Sequence, residues 1–97
     1  MKTLKKVEAA RNTFTPPEVL AALSRDEDYN VRIGVAHNTS TPPEILTELS
    51  RDEDYSVRWR VARNPSTPPE LLLILMVDDD EDVRGEAERA LSRRMRP

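Results

Sequence analysis

Residues 38–62 read NTSTPPEILTELSRDEDYSVRWRVA. Nearly the same sentence occupies residues 12–36, and a looser version follows at 64–88. The tetrapeptide Thr-Pro-Pro-Glu stands at 15–18, 41–44 and 67–70, an interval of 26 residues both times. Residues 11–36 and 37–62 differ at eight positions and agree at 18. The third copy, 63–88, keeps the frame with Asn64, Thr67 to Glu70, Leu72, Leu75, Asp80, Val83 and Arg84, and puts the smaller Ala87 where the others have valine. A fixed period of this length is the mark of a solenoid, in which each unit covers the apolar face of the next. The frame implies one repeat domain over 1–97: a partial unit at 1–10, repeats at 11–36, 37–62 and 63–88, and a C-terminal helix extension with a basic tail at 89–97.

Each unit carries two helix starts. Thr15, Thr41 and Thr67 read as N-caps, followed by two prolines where first-turn N–H groups lack an intrahelical acceptor. Glu18, Glu44 and Glu70 then complete a capping box. The second start is Asp28, Asp54 or Asp80, opening a helix Tyr-x-Val-Arg-x-x-Val-Ala that closes near Asn38 or Asn64, a residue tolerant of the left-handed conformation. We call the first helix of a unit A and the second B. On A the apolar stripe is Val19, Leu20, Leu23, repeated as Ile45, Leu46, Leu49 and as Leu71, Leu72, Leu75. On B it is Val31 and Val35, then Val57 and Val61, then Val83 and Ala87. These spacings are helical, not alternating. None of these helices before the last exceeds about ten residues, so none is stable without its neighbours. Gly34 and Gly85 fall inside helix B, and Gly34 suits a close helix approach.

The unit Val57-Arg58…Val61-Ala62-Arg63-Asn64-Pro65…Thr67-Pro68-Pro69-Glu70-Leu71-Leu72…Leu75 resembles the leucine-rich repeat variant family, over roughly residues 9–88. The resemblance implies a right-handed, all-α superhelix without sheet, one layer of which is 3₁₀-like, acting as a binding scaffold. Some members are associated with an iron–sulfur cluster held by cysteines. This chain has no cysteine, so that cofactor does not carry over. The stretch Asp80–Arg94 also resembles a HEAT-like repeat helix.

Composition narrows the function classes. Without cysteine there is no disulfide, thiolate metal site or cysteine nucleophile. The longest apolar run, Leu71–Val77, is far too short to span a membrane. The start MKTLKKVEAARN has no signal core, and the expectation is a soluble cytoplasmic protein. Serines lack a nearby His–acid arrangement, and no Gly-rich phosphate loop occurs. Nothing in the residues calls for catalysis, a cofactor or a metal. Net charge is −3, with 11 of 18 acids in Asp26–Asp28, Asp52–Asp54 and Asp78–Asp82. That acidic line could meet a basic partner or a cation, but the plainer reading is helix caps and solvated turns. Arg32, Arg58 and Arg84 each follow their capping Asp by four residues and read as its neutralising partners. His37 stands where Arg11 and Arg63 stand in the other copies, at a helix B end, as a surface or capping residue. The tail from Arg89 to Arg96 is the one unneutralised basic stripe, and it lacks an aromatic to stack on a base.

Positions that break the repeat are the candidates for ligand contact. On helix B they run Ile33, Trp59, Gly85 and Gly34, Arg60, Glu86. On helix A they run Ala21, Thr47, Leu73 and Ala22, Glu48, Ile74. Trp59, flanked by Arg58 and Arg60, has the residue types that dominate binding hot spots, although the plainer reading is a side chain that fills a gap between units. Leu73, Ile74 and Met76 make the outer face of the third helix A apolar, so that either the last helix folds over it, the favoured expectation, or it mates with another chain. The expected activity is non-catalytic protein binding through Trp59, Arg60, Ile33, Leu73, Ile74 and Met76. The partner is an unidentified protein, with self-association through the third helix A as a further expectation. The alternatives are electrostatic nucleic-acid binding through the basic ends, which the residues favour less, and an accessory module of a larger enzyme system.

Overall fold

The computed structural model describes residues 2–96. Seven α-helices follow one another: α1 (Lys2–Arg11), α2 (Pro17–Leu23), α3 (Tyr29–His37), α4 (Pro43–Leu49), α5 (Tyr55–Arg63), α6 (Pro69–Leu75) and α7 (Glu81–Arg94). No strand occurs among the described residues. α1, α3, α5 and α7 form the B layer, each packed directly on the next. α2, α4 and α6 form the A layer and pack chiefly on the B helices flanking them. The result is an α-solenoid measuring 41 × 27 × 18 Å.

The core lies between the layers. Leu20, Leu46 and Leu72 from the A layer and Val31, Val35, Val57, Val61 and Val83 from the B layer have no exposed surface. Ala10, Ala36 and Ala62 are equally buried. A Cβ added to Gly34 would lie 2.8 Å from Ala10 Cβ, so this glycine lets α1 press onto α3. Gly85 has no such neighbour; only the Arg89 guanidinium lies near it. Val19, aligned with Ile45 and Leu71, is exposed, because no A-layer helix stands on the N-terminal side of α2.

The polar parts of the repeat differ from the expectation in three ways. First, the A-layer N-caps are Pro16, Pro42 and Pro68, with no side-chain cap, and no capping box forms. Two consecutive prolines remove two orphan donors. The N–H of Ile45 already reaches the Pro42 carbonyl, so only the Glu44 N–H is left to solvent. The threonine is thereby released to turn backward. Thr15, Thr41 and Thr67 Oγ1 donate to the carbonyls of Ala9, Val35 and Val61 at 2.6, 2.7 and 2.6 Å, satisfying the end of the preceding B helix. The A helices themselves are α-helical, and i→i+3 bonds such as Val19 to Pro16 and Asp26 to Leu23 are confined to their ends.

Second, Arg32 and Arg58 serve the next unit's aspartate, not their own cap, and Arg84 keeps only the Asp78 carbonyl. Arg32 Nε donates to Asp52 Oδ2 at 2.8 Å and Arg58 Nε to Asp78 Oδ2 at 2.9 Å. Their Nη1 groups donate to the Asp26 and Asp52 carbonyls at 2.7 and 2.6 Å. Lys6 reaches Asp26 in the same way at 2.9 Å. Asp28, Asp54 and Asp80 do cap the B helices, accepting from Asn30, Ser56 and Asp82 backbone N–H groups. The first acid of each cluster is therefore a half-buried fastener rather than a solvated turn residue, while Glu27 and Glu53 are exposed and the exposed Asp79 also meets Arg58 at 3.3 Å.

Third, Asn38 and Asn64 close the B helices in extended, not left-handed, backbone. Both are buried. Asn38 Nδ2 donates to the Ala10 and Asn12 carbonyls at 2.8 and 2.9 Å, and Asn64 Nδ2 to Ala36 and Asn38 at the same distances. Each asparagine thus satisfies carbonyls of the previous unit. At the corresponding place in α7 the residue is Ala90, and the Arg94 guanidinium reaches over from the end of α7 to the Asn64, Pro65 and Thr67 carbonyls.

Candidate functional site

The open face of the B layer is built from columns of residues 26 apart. One column runs Val7, Ile33, Trp59, Gly85; the next runs Glu8, Gly34, Arg60, Glu86; a third, one turn on, runs Arg11, His37, Arg63, Arg89. Because the valines at 31, 35, 57 and 61 are drawn into the core, the exposed members of these columns open onto the opposite side, while Gly34 and Glu86 are buried. Ile33 and Trp59 are half-buried and packed against the core edge. The guanidiniums of Arg60 and Arg63 lie over the Trp59 ring, 5.2 and 5.3 Å from its centroid. Such stacking fixes two long side chains against a rigid plane.

Two grooves meet at this point. The first, about 390 Å³, runs between α1 and α3 and is lined by Thr3, Leu4, Val7, Arg11, Asn30, Ile33, Gly34, His37 and Arg60. The second, about 440 Å³, is lined by Ile33, Tyr55, Ser56, Trp59, Arg60 and Asp82. A smaller depression of about 210 Å³ lies among His37, Thr39, Arg60, Arg63, Asn64 and Pro65. Arg60 borders all three, and Ile33 separates the two larger ones.

The face is weighted toward positive charge, with Glu8 and Asp82 as its exposed acids. Burial, with the charges of Arg11, Arg60 and Arg63, holds the His37 imidazole below its ordinary value. Among the described residues neither Arg11 nor Arg60 has a carboxylate within ion-pair distance. The one acid sunk into this face is Glu86, 2% exposed, which accepts from Arg89 and Arg93 at 3.2 and 3.0 Å and faces Arg63 at 3.8 Å. This corrects the reading of the basic tail. Arg89 and Arg93 are engaged by Glu86 and Arg94 by backbone carbonyls, which leaves Arg96 as the tail's cation without an ion pair among the described residues. Among the described residues no cluster of three His, Asp or Glu side chains is disposed to hold a metal ion.

The six candidate contact residues fall into two groups. Ile33, Trp59 and Arg60 come together on the B face. Leu73 and Ile74 lie on the A layer, each 59% exposed and joined by Val77. α7 does not fold over them, because it is occupied with α5 and with the inner side of α6. Met76, by contrast, turns inward against the core. The residues that the repeat-breaking argument passed over are Leu4, Val7, Arg11, His37 and Arg63. Extending the 26-residue columns back into residues 1–10 would have found the first two.

The sequence profile of the leucine rich repeat variant matches residues 29–54 and 55–80, together just over half of the chain. The chain belongs to the leucine rich repeat variant family. The family's unit is framed here from Tyr29 and Tyr55, the first residues of α3 and α5, so one leucine rich repeat variant unit comprises a B helix and the A helix after it. No curated protein and no solved structure matches the chain. No helix among the described residues of this leucine rich repeat variant is long and apolar enough to cross a membrane.

Proposed function

We propose that the chain is a non-catalytic protein-binding scaffold whose contact surface is the open B face, with Trp59 and Arg60 at its centre. The observation that carries this is the half-buried Trp59 clamped by two guanidiniums where two grooves meet. An aromatic plane and arginine at the rim of an apolar depression form the type of anchor on which interface energy concentrates. The repeat supports it, since the core leucines and valines recur from copy to copy while Ile33 and Trp59, at one partly exposed column, and Arg60 beside them do not. Family membership supports it as well, because such repeats serve generally as interaction modules. The exposed pair Leu73 and Ile74 favours a second, self-associating contact on the A layer.

Affinity capture tests the main reading, with wild type, Trp59→Ala and Leu73→Glu/Ile74→Glu as parallel baits. Partner capture that is lost with Trp59→Ala at unchanged helical circular dichroism is the expected result. Capture that survives Trp59→Ala makes the tryptophan a packing residue and removes the B face from the interface.

A further inference from the structure

Resting on the B face as the contact surface, the groove between α1 and α3 sets what the partner must be. We infer that the face takes an acidic peptide segment carrying a large apolar side chain: Arg11, Arg60 and Arg63 receive its carboxylates, and Leu4, Val7 and Ile33 receive the apolar group.

Charge complementarity is the first argument. The protein is acidic overall, with a net charge of −3, yet Arg11 and Arg60 have no carboxylate within ion-pair distance among the described residues. Arg63 has only the distant, shared Glu86. The three converge on His37, whose ring they hold against protonation together with its burial. Unsatisfied guanidiniums at a rim attract carboxylates and pair with them bidentately.

Shape is the second argument. The groove is about 390 Å³, the size that admits one large side chain and its flanking backbone, and its floor is apolar. Leu4 is 61% exposed and Val7 half-buried, so apolar surface there is open to cover. Gly34 matters here, because its missing side chain brings α1 down to α3 and forms the floor.

Nucleic acid presents the same negative charge but fits less well. Both guanidiniums near Trp59 already lie over its ring and compete there with a stacking base. Asp82 borders the second groove, and the acid clusters at the A–B turns repel an extended phosphate backbone.

A displayed library of random nonapeptides, selected in parallel on the wild-type chain and on Arg60→Glu, tests the inference. The expected result is enrichment of Asp or Glu beside Leu, Ile, Phe or Met on wild type. Selected peptides should lose at least tenfold in affinity on Arg60→Glu and on Val7→Asp, with circular dichroism unchanged. Enrichment of basic or neutral sequences overturns the inference, as does a selection that Arg60→Glu leaves unaltered or one with no enrichment at all. A random single-stranded oligonucleotide binding more tightly than the selected peptides at the same salt overturns it in favour of nucleic acid. If peptide selection fails while capture by wild type still depends on Trp59, only the partner chemistry falls and the B face stands as the interface.

Discussion

Arg58 joins two repeats at once: its Nε and Nη2 hold the Asp78 carboxylate at 2.9 and 3.2 Å, while its Nη1 holds the Asp52 carbonyl at 2.6 Å. Both side chains of the ion pair are largely shielded, at 13% and 8% exposure. Removing the guanidinium leaves a shielded carboxylate with only the Asp80 N–H and the Asp52 carbonyl without its side-chain donor. Arg58→Ala should therefore destabilise the fold by about 2–3 kcal/mol, the cost of losing hydrogen bonds to a charged group. Arg84→Ala, at the exposed end of the same column, should cost under about 1 kcal/mol. Chemical denaturation of the two variants checks the contrast.

Asn64→Ala strands the Ala36 carbonyl and leaves the Asn38 carbonyl with only the Thr41 N–H, since both take a bond from the buried amide. The expected loss is about 2–3 kcal/mol, the larger end for buried unsatisfied acceptors. Asn64→Asp should be at least as damaging, because it presents an acceptor to two acceptors. Denaturation midpoints at fixed pH measure both.

The two glycines of the B layer should respond oppositely. Gly34→Ala forces a Cβ to within 2.8 Å of Ala10 Cβ and should cost about 1–3 kcal/mol through overpacking. Gly85→Ala meets only the mobile end of Arg89 and should gain about 1 kcal/mol from helix propensity. Thermal unfolding of both variants distinguishes them.

Acid should destabilise the fold in two stages. His37 is held below its ordinary 6.5 by burial and by Arg11, Arg60 and Arg63, so the fold favours the neutral ring. That contribution is present above 6.5 and is lost as pH falls from 6.5 through the folded value. Asp26 is lowered by the Asp28 N–H and by Lys6, and Asp54 by Ser56. Burial raises Asp78, but the Asp80 N–H and Arg58 overcome it and leave it low. Their contribution is complete above the ordinary 3.8 and fades as pH drops below it. Denaturation at pH 7, 5 and 3 follows both stages. An NMR titration of His37 in Arg60→Gln should move back up toward 6.5.

Leu73→Glu/Ile74→Glu removes apolar surface that nothing in the fold covers. Stability should stay within about 0.5 kcal/mol of wild type. Sedimentation then reports on self-association: a drop in mass supports the A-layer contact, and an unchanged mass removes it.

The two-layer stack was legible because burial imposes helical spacing on Leu20, Leu46, Leu72 and the valines opposite them, and spacing is visible in a string. The Asp N-caps were legible because their partners lie two residues away. What was hidden depends on residues in different units. The register between Arg32 and Asp52, 20 residues apart, follows from how helices stack, and a nearer aspartate four residues back offered a simpler pairing. Thr41 was misread for a related reason: its acceptor lies six residues behind it, across a bend that only the fold creates. On the candidate site, the repeat breaks at 33, 59 and 60 were visible. The contribution of α1 was not, because its residues carry too little of the repeat to align by eye.

The arginine-to-aspartate and asparagine-to-carbonyl fastenings both count in whole units, so length is a modular variable of this protein. Inserting a duplicate of residues 37–62 after Ala62 should give a longer, fully folded rod with an added B-face groove. An insert one residue shorter or longer should break every fastening across the junction at once. Growth past α7 is another matter: Ala90 lacks the amide, and Arg94 already occupies the Asn64 carbonyl that an amide there would take, so that end is plugged until both are exchanged.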